Sequence, residues 1–298
     1  MVGLALLLRH DRVPLYRSRP LTYWLTLTRA PGTLVQEQGA DAIRRIGTNS
    51  IPILLDRIGY DCPRWRTWLG RQKFEAHTKS WGRWIPIWTT SFPAMERVLE
   101  AVEAFGALGP AASPAIPRLL ALTKDSNERA QFAVQALANI GPDATSALLE
   151  VVADPGANRN ARARATSAIA GANASIAAIE KLRSMTPRAV AVFIRNLQDA
   201  DEFVAGLAAN ALGILKSLPE SSVPALTQAL EQPRRFVRER ATKALERFEH
   251  DATPAVPALT RALADPVIEV RKGATNALLT IAPEVLTNTP ATQSRLKP

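Results

Sequence analysis

Pairs of alanines three residues apart, each followed by a large apolar residue, recur along the chain. The pairs are Ala101/Ala104, Ala133/Ala136, Ala165/Ala168, Ala208/Ala211, Ala241/Ala244 and Ala274/Ala277, and a degenerate copy is Gly39/Ala42. Among the six alanine pairs, the second alanines are 32, 32, 43, 33 and 33 residues apart. Residues i, i+3 and i+4 share one face of an α-helix, and small side chains there let a second helix approach closely. The pattern predicts a repeated helix that packs against its own copies.

A second helix is predicted after the turn that follows each alanine pair. Pro52, Pro117, Pro224 and Pro257 mark the starts of four of these helices, because proline is tolerated in a first turn, where its missing amide has no intrahelical partner. Asp125, Asp154, Asp199 and Asp265 then close the unit, where a carboxylate can accept from free backbone amides. Such helical hairpins bury too little apolar area alone, so neighbours must stack. The predicted fold class is all-α, a solenoid of about six to seven helical hairpins with the second helices on its concave face.

The most regular units resemble a known repeat family. Residues 237–248 (VRERATKALERF) and 270–281 (VRKGATNALLTI), the latter preceded by 256–266 (VPALTRALADP), resemble HEAT repeats, especially the short HEAT-like type of the phycobilin lyases. The resemblance spans residues 94–282 well and 36–58 weakly. It implies a right-handed α-α superhelix of the HEAT/armadillo kind but indicates little about function. The Val-Arg pair occurs only at Val237-Arg238 and Val270-Arg271, so a continuous Asp–Arg ladder is not expected.

Composition divides the chain into five predicted segments. These are a basic N-terminal segment with a capping helix (1–35), a degenerate first repeat (36–58), a Trp/Arg-rich insertion (59–93), HEAT-like repeats (94–286) and a flexible tail (287–298). The capping helix is PLTYWLTL (20–27), which is expected to pack Trp24 and Leu25 on the first repeat. Residues 171–185 lengthen the fourth unit, as a third armadillo-like helix or as a ridge that faces a partner.

Basic and aromatic residues concentrate in the N-terminal third. The formal net charge of the 298 residues is +10. Residues 1–93 hold 14 Lys and Arg against 6 Asp and Glu, and they contain all six tryptophans. Trp65 and Trp68 alternate with Arg64 and Arg66, and interleaved Trp and Arg can stack on bases and bind phosphates, or lie in a lipid interface. They can equally fold back as a hydrophobic cap on the solenoid.

Catalytic chemistry is not indicated by the sequence. A single cysteine, Cys62, excludes an internal disulfide, and three scattered histidines do not suggest a metal cluster. HEAT-like di-iron hydroxylases use His-Glu dipeptides, which the chain lacks. HEAT-like DNA glycosylases use a basic concave groove, whereas the basic residues here lie mostly in the other half. We therefore expect no enzyme activity and no cofactor.

Alignment of the second helices predicts a row of exposed side chains on the concave face. The row is Asp56, Ala121, Glu150, Arg195, Gln228 and Arg261. Its mixed signs do not make a track for phosphates. We expect a non-catalytic, monomeric scaffold that binds a protein or peptide of unidentified sequence. The candidate binding residues are Arg195, Gln228 and Arg261, together with Trp65, Trp68, Arg64 and Arg66. The alternatives are nucleic-acid binding through the N-terminal third and, by fold analogy, a HEAT-like glycosylase or lyase.

The location of the protein depends on its native N-terminus. The apolar run Val2 to Leu8 is shorter than the ~20 residues that a membrane span requires, so no span is expected. Residues 14–25 match a Pro-x-Tyr…Pro-Leu-x-Tyr-Trp-Leu segment that follows a membrane anchor in some bacterial HEAT-like proteins. As given, the chain is expected in the cytoplasm. A longer native N-terminus would make it membrane-anchored or exported.

Overall fold

Helical hairpins form nearly all of the chain that the computed structural model describes, which is residues 13–59, 93–125, 129–170, 180–181 and 184–287. The contacts divide the chain into two units that meet between Asp143 and Ala144. Each unit is an all-α stack in which helices of the first, alanine-rich kind form one layer and helices of the second kind form another. The described part of the chain contains no helix with both the length and the apolarity needed to span a bilayer.

The described residues of the first unit form a short β-hairpin and six α-helices. They are β1 (Leu15–Tyr16), β2 (Arg19–Pro20), α1 (Leu21–Leu27), α2 (Thr33–Ile46), α3 (Ile51–Gly59), α4 (Pro93–Leu108), α5 (Ile116–Leu122) and α6 (Arg129–Ile140). Helices α2, α4 and α6 pack in sequence as the first layer, and α3 and α5 contact them from the second. The strands pair antiparallel, with Leu15 opposite Pro20 and Tyr16 opposite Arg19. The sequence reasoning did not predict this hairpin.

Helix α1 has the packing predicted for a cap. It contacts α2 and α4, and its Leu21 and Leu25 are fully buried while Trp24 is half-buried. Gly39, which takes the place of alanine in the degenerate pair, lies where α1 crosses α2. A Cβ added there would come within 3.0 Å of the Trp24 carbonyl oxygen. Glycine therefore replaces alanine at the point where the capping helix α1 approaches α2 most closely.

The second unit contains the regular repeats. Its helices are α7 (Thr145–Ala153), α8 (Arg159–Ala170), α9 (Thr186–Asn196), α10 (Glu202–Leu215), α11 (Pro219–Ala229), α12 (Arg235–Phe248), α13 (Val256–Ala262), α14 (Ile268–Ile281) and α15 (Pro283–Thr287). Helices α8, α10, α12 and α14 pack in sequence. Their paired alanines from Ala208 to Ala277 are all fully buried, as the repeat predicted. Gly213 allows α10 to approach α12 most closely, because a Cβ there would lie 2.7 Å from the Ala244 Cα.

Proline marks the start of the second helices at three of the four predicted positions. Pro52, Pro117 and Pro257 are each the second residue of a helix. The prediction for Pro224 is wrong, because α11 begins at Pro219 and Pro224 lies inside it. Pro224 is exposed, so the carbonyl that loses its partner amide can be solvated by water.

The aspartates that close the units accept backbone amides, as predicted. The Oδ1 atoms of Asp154, Asp199 and Asp265 each accept from the amide two residues later, at 2.8 to 2.9 Å. For Asp125 the residues 126–128 lie outside the described chain, so its amide partners stay a prediction.

Two of these aspartates also form ion pairs with arginines of the preceding first helix. Arg162 of α8 lies 2.5 Å from Asp199, and Arg238 of α12 lies 2.7 Å from Asp265. In the repeat between these two ion pairs, Ala205 stands at the position of the arginine and Gln232 at the position of the aspartate. The Asp–Arg ladder is therefore interrupted there. The broken ladder agrees with the sequence expectation.

Candidate partner-binding surface

The row of side chains predicted on the second helices has a common position in the second unit. Arg195, Gln228 and Arg261 each lie in the last turn of their helix, α9, α11 and α13. Their carbonyl oxygens accept from the amides three residues later, at 3.2, 3.1 and 3.1 Å. All three side chains belong to exposed residues. Arg195 lies two turns after Pro187, whereas Arg261 lies one turn after Pro257, because α9 and α11 each begin one turn earlier, relative to the row, than α13.

The two arginines of the row already contact the preceding second helix or the loop after it. The Arg195 guanidinium donates to the Ala153 carbonyl at the end of α7, and Arg261 lies 2.7 Å from Glu231 after α11. The Arg261 and Glu231 side chains are 65% and 63% exposed, so this pair is worth ~0.5 kcal/mol or less. Arg261 can therefore exchange Glu231 for a ligand at little cost. The Gln228 side chain makes no hydrogen bond within the described residues.

The charge along the row changes sign. Glu150, exposed in the last turn of α7, occupies the acidic end, and Arg195 and Arg261 are basic. Arg188, two turns before Arg195 in α9, is also exposed and adds a further basic group on that helix face. In the first unit the predicted row members Asp56 and Ala121 are exposed as well. The second-unit row is therefore basic over α9 and α13, with an acidic side chain on α7.

A cleft that the sequence reasoning missed lies at the N-terminal ends of the first helices in the second unit. It has a volume of about 470 Å³ and includes Glu202, Phe203 and Phe236 in its lining. The two phenyl rings stack with centroids 5.4 Å apart, and the Arg240 guanidinium lies 4.7 Å from the Phe236 ring. Phe203 is 49% exposed. Arg159 and Arg235 also line the cleft, and aromatic and arginine side chains are enriched in protein interfaces.

A missing side chain on α10 allows the aromatic stack to form. A Cβ on Gly206 would lie 2.3 Å from the Phe236 ring, so glycine is required for the ring to lie against α10. The Glu202 carboxylate accepts from the Phe236 amide at 2.7 Å and fixes the start of α12. The sequence does carry a signal for this stack, since Phe203 and Phe236 occupy the same position of consecutive repeats.

The other predicted site residues, Trp65, Trp68, Arg64 and Arg66, lie outside the described residues. Whether they cap the solenoid or bind a ligand stays a prediction. Within the described ranges no three His, Cys, Asp or Glu side chains come together as a metal site would require.

Among the described residues, the one carboxyl whose pKa clearly departs from its ordinary value is that of Asp265, which forms an ion pair inside the repeats. The side-chain hydrogen bonds from Arg238 hold the pKa of Asp265 below its usual range, and the Val267 amide acts in the same direction. The Asp265 carboxylate thus forms its hydrogen bonds within the repeat stack.

Family models match the repeats of the second unit. Residues 171–246 match a model described as HEAT repeats, and residues 237–265 match the PBS lyase HEAT-like repeat. No curated protein matches the chain.

Several solved structures are similar at low identity. A designed armadillo repeat protein in complex with the peptide (KR)4 is 20% identical over 77% of this chain and 98% of its own, with a TM-score of 0.48. A computationally designed armadillo repeat protein for modular peptide recognition is also 20% identical, over 78% and 99%, with a TM-score of 0.48. Human deoxyhypusine hydroxylase is 18% identical over 87% and 95%, with a TM-score of 0.36. None of these likenesses gives this chain an activity or a ligand. The matched repeat models show that residues 171–265 contain HEAT repeats, and the helical hairpins continue outside that range.

Proposed function

We propose that the protein is a non-catalytic scaffold that binds an extended, charged peptide segment of a partner protein across its second helices. The observation that carries the proposal is the recurrence of an exposed long polar side chain at one equivalent position of three consecutive repeats: Arg195, Gln228 and Arg261. Repeat solenoids commonly bind ligands on surfaces built from such equivalent positions.

The spacing of the repeats suits an extended peptide. Packed helices lie ~10 Å apart, and an extended chain advances ~3.3 Å per residue. One peptide residue in every three would therefore meet the row, with the intervening residues free to vary. Gln228, whose side-chain amide has both a donor and an acceptor, is suited to pair with the peptide backbone between the two arginines.

The charges specify the composition of the peptide. Acidic side chains would pair with Arg195 and Arg261, and a basic side chain would pair with Glu150 on α7. Nucleic acid fits this row less well, because its uniform negative charge would meet the Glu150 carboxylate without compensation.

The test is a selection of random peptides displayed on phage against the full chain, followed by affinity measurement on the selected peptides. We expect enrichment of Asp or Glu at intervals of about three residues. The double variant Arg195→Glu/Arg261→Glu should weaken binding at least about tenfold, since like charges would then face each other.

The matched control is Arg164→Glu/Lys272→Glu. It makes the same change in net charge at exposed positions of the first helices, and binding should remain within about twofold of wild type. Peptides that lose affinity equally with both double variants would refute the row as the binding site. Loss only with Phe203→Ser would assign the peptide to the aromatic cleft instead.

A further inference from the structure

The N-terminal hairpin exposes apolar and basic side chains together. Leu15 is 70% exposed, and Val13 is exposed beside it. Arg17 and Arg19 are also exposed, and neither forms an ion pair with a described residue. Residues 13–36 contain three arginines and no Asp or Glu.

The turn of the hairpin is held in a conformation that its residues do not favour. Arg17 and Ser18 both have positive φ, 46° and 58°. Two-residue hairpin turns of this geometry usually use Asn or Gly, because other side chains are strained there. The sequence nevertheless keeps an arginine at the tip, where its guanidinium lies 5.4 Å from the centroid of the Tyr16 ring. Strain of this kind is found where a conformation serves a function.

Contacts with the capping helix α1 hold the hairpin in place. The Trp24 indole donates to the Tyr16 carbonyl at 3.2 Å, and the Tyr16 and Trp24 rings pack edge to face at 5.7 Å. The Leu21 amide donates to the Pro14 carbonyl at 2.8 Å and closes the hairpin. The exposed side chains of the hairpin therefore lie on a backbone that is fixed by contacts with α1.

We propose that this hairpin, residues 13–20, docks the protein on an anionic lipid surface. Leu15 and Val13 would enter the boundary between headgroups and acyl chains, and Arg17 and Arg19 would pair with lipid phosphates. Lipid is favoured over nucleic acid by the ring contacts, since Arg19 covers the Tyr23 ring at 4.7 Å and Tyr16 and Trp24 contact each other. These rings are thus not free to stack on bases, whereas exposed aliphatic side chains suit a lipid boundary.

The proposal is independent of peptide binding, because the hairpin belongs to the first unit and the row of Arg195 to the second. The experiment is sedimentation of the full chain with vesicles that contain phosphatidylglycerol and with vesicles of pure phosphatidylcholine. We expect binding to the former only, weakening as salt is raised.

Two variants locate the surface. Arg17→Asn/Arg19→Gln should weaken vesicle binding about 25-fold, at about fivefold for each arginine. Leu15→Ser should weaken it about tenfold, because an inserted leucine side chain is lost. Both changes lie at exposed positions, and an unchanged thermal unfolding midpoint verifies that the fold is kept.

The controls separate the hairpin from general charge and hydrophobicity. Leu34→Ser removes a leucine that is 79% exposed on α2, and Arg235→Gln/Lys272→Gln removes two charges from the second unit. Vesicle binding should remain unchanged in both. The proposal is overturned if wild type does not sediment with phosphatidylglycerol vesicles, or if the hairpin variants bind them as wild type does. Loss of single-stranded DNA binding without loss of vesicle binding in the hairpin variants would overturn it equally.

Discussion

Replacing Arg238 with methionine is expected to destabilise the second unit far more than its single pair with Asp265 suggests. The guanidinium donates to both carboxylate oxygens of Asp265, at 2.7 and 3.0 Å. Its remaining amino group donates to the carbonyls of Gln232 and Pro233, at 2.9 and 2.8 Å. One side chain thus ties α12 to the loop before it and to the loop after α13, and methionine fills much of the volume without making any of these bonds.

The expected loss follows from how little of this pair reaches solvent. The Arg238 and Asp265 side chains are 11% and 9% exposed. Removing one partner of a buried ion pair costs ~3 to 5 kcal/mol, chiefly because the other charge is left uncompensated. We expect ~3 kcal/mol for Arg238→Met, the lower end of that range, since Asp265 keeps its hydrogen bond from the Val267 amide at 2.8 Å.

The pH dependence gives a second, independent check. Because the pKa of Asp265 is lowered in the folded state, its pairing contributes fully above the unfolded-state value of ~4. The contribution is lost as the pH falls through the lower folded-state pKa. The difference in free energy of unfolding between wild type and Arg238→Met should therefore be constant from about pH 5 to 8 and should shrink in acid below about pH 4.

Urea unfolding of both proteins measures this difference, with Arg261→Met as the matched control. Arg261 forms an ion pair of equal length, 2.7 Å, but with both side chains mostly exposed. Its replacement should cost less than ~0.5 kcal/mol. Equal losses for the two variants, or a loss for Arg238→Met that does not shrink in acid, would refute the reasoning that burial makes this rung strong.

Three further changes test the packing and the helix ends by thermal or urea unfolding. Gly213→Ala should lower the free energy of unfolding by ~1 to 3 kcal/mol, because the new methyl would overlap the Ala244 backbone. The control Gly106→Ala, whose nearest neighbouring atom is at 3.6 Å, should leave the stability unchanged or raise it by up to ~1 kcal/mol. A loss at Gly106 as large as that at Gly213 would contradict this. Asp201→Ala should cost ~1 kcal/mol more than Asp201→Asn, because both variants lose the ion pair with Arg159 but only asparagine keeps an oxygen that accepts the two amides that start α10; equal losses would refute the capping role. Lys216→Gly should stabilise by ~0.5 kcal/mol, since Lys216 ends α10 at a φ of 45°, and destabilisation would show that its contact with Glu249 outweighs the backbone strain.

The repeated helices were predictable because their signal is local. Each alanine pair lies on one helical face, and the prolines at the starts of α3, α5 and α13 reflect a first turn that needs no amide. Pro224 misled the prediction because Pro219 supplies an equally good start five residues earlier, and sequence alone does not show which proline begins the helix. The interrupted Asp–Arg ladder was predictable from the sparse Val-Arg pairs, but the ion pair between Arg162 and Asp199 was not, since Arg162 follows an alanine.

The candidate surfaces were only partly predictable. Arg195, Gln228 and Arg261 were found because the repeat places them at equivalent positions. The cleft was not found, because it exists only when Phe203 and Phe236 from neighbouring repeats stack above Gly206. The hairpin ahead of α1 was missed as well, since a turn with two positive φ values at Arg17 and Ser18 has no ordinary sequence signature.

By itself, the sequence determined the helices, their order and the faces that they bury, because 3.6-residue periodicity and turn-forming residues act within one or two turns of chain. The tertiary structure decided which of the exposed side chains lie close to one another. The Arg238 ion pair is buried inside the stack and the Arg261 ion pair is exposed at the surface, and both partners lie about thirty residues away in the sequence. Burial sets the strength of each pair, and burial is a property of the packed repeats.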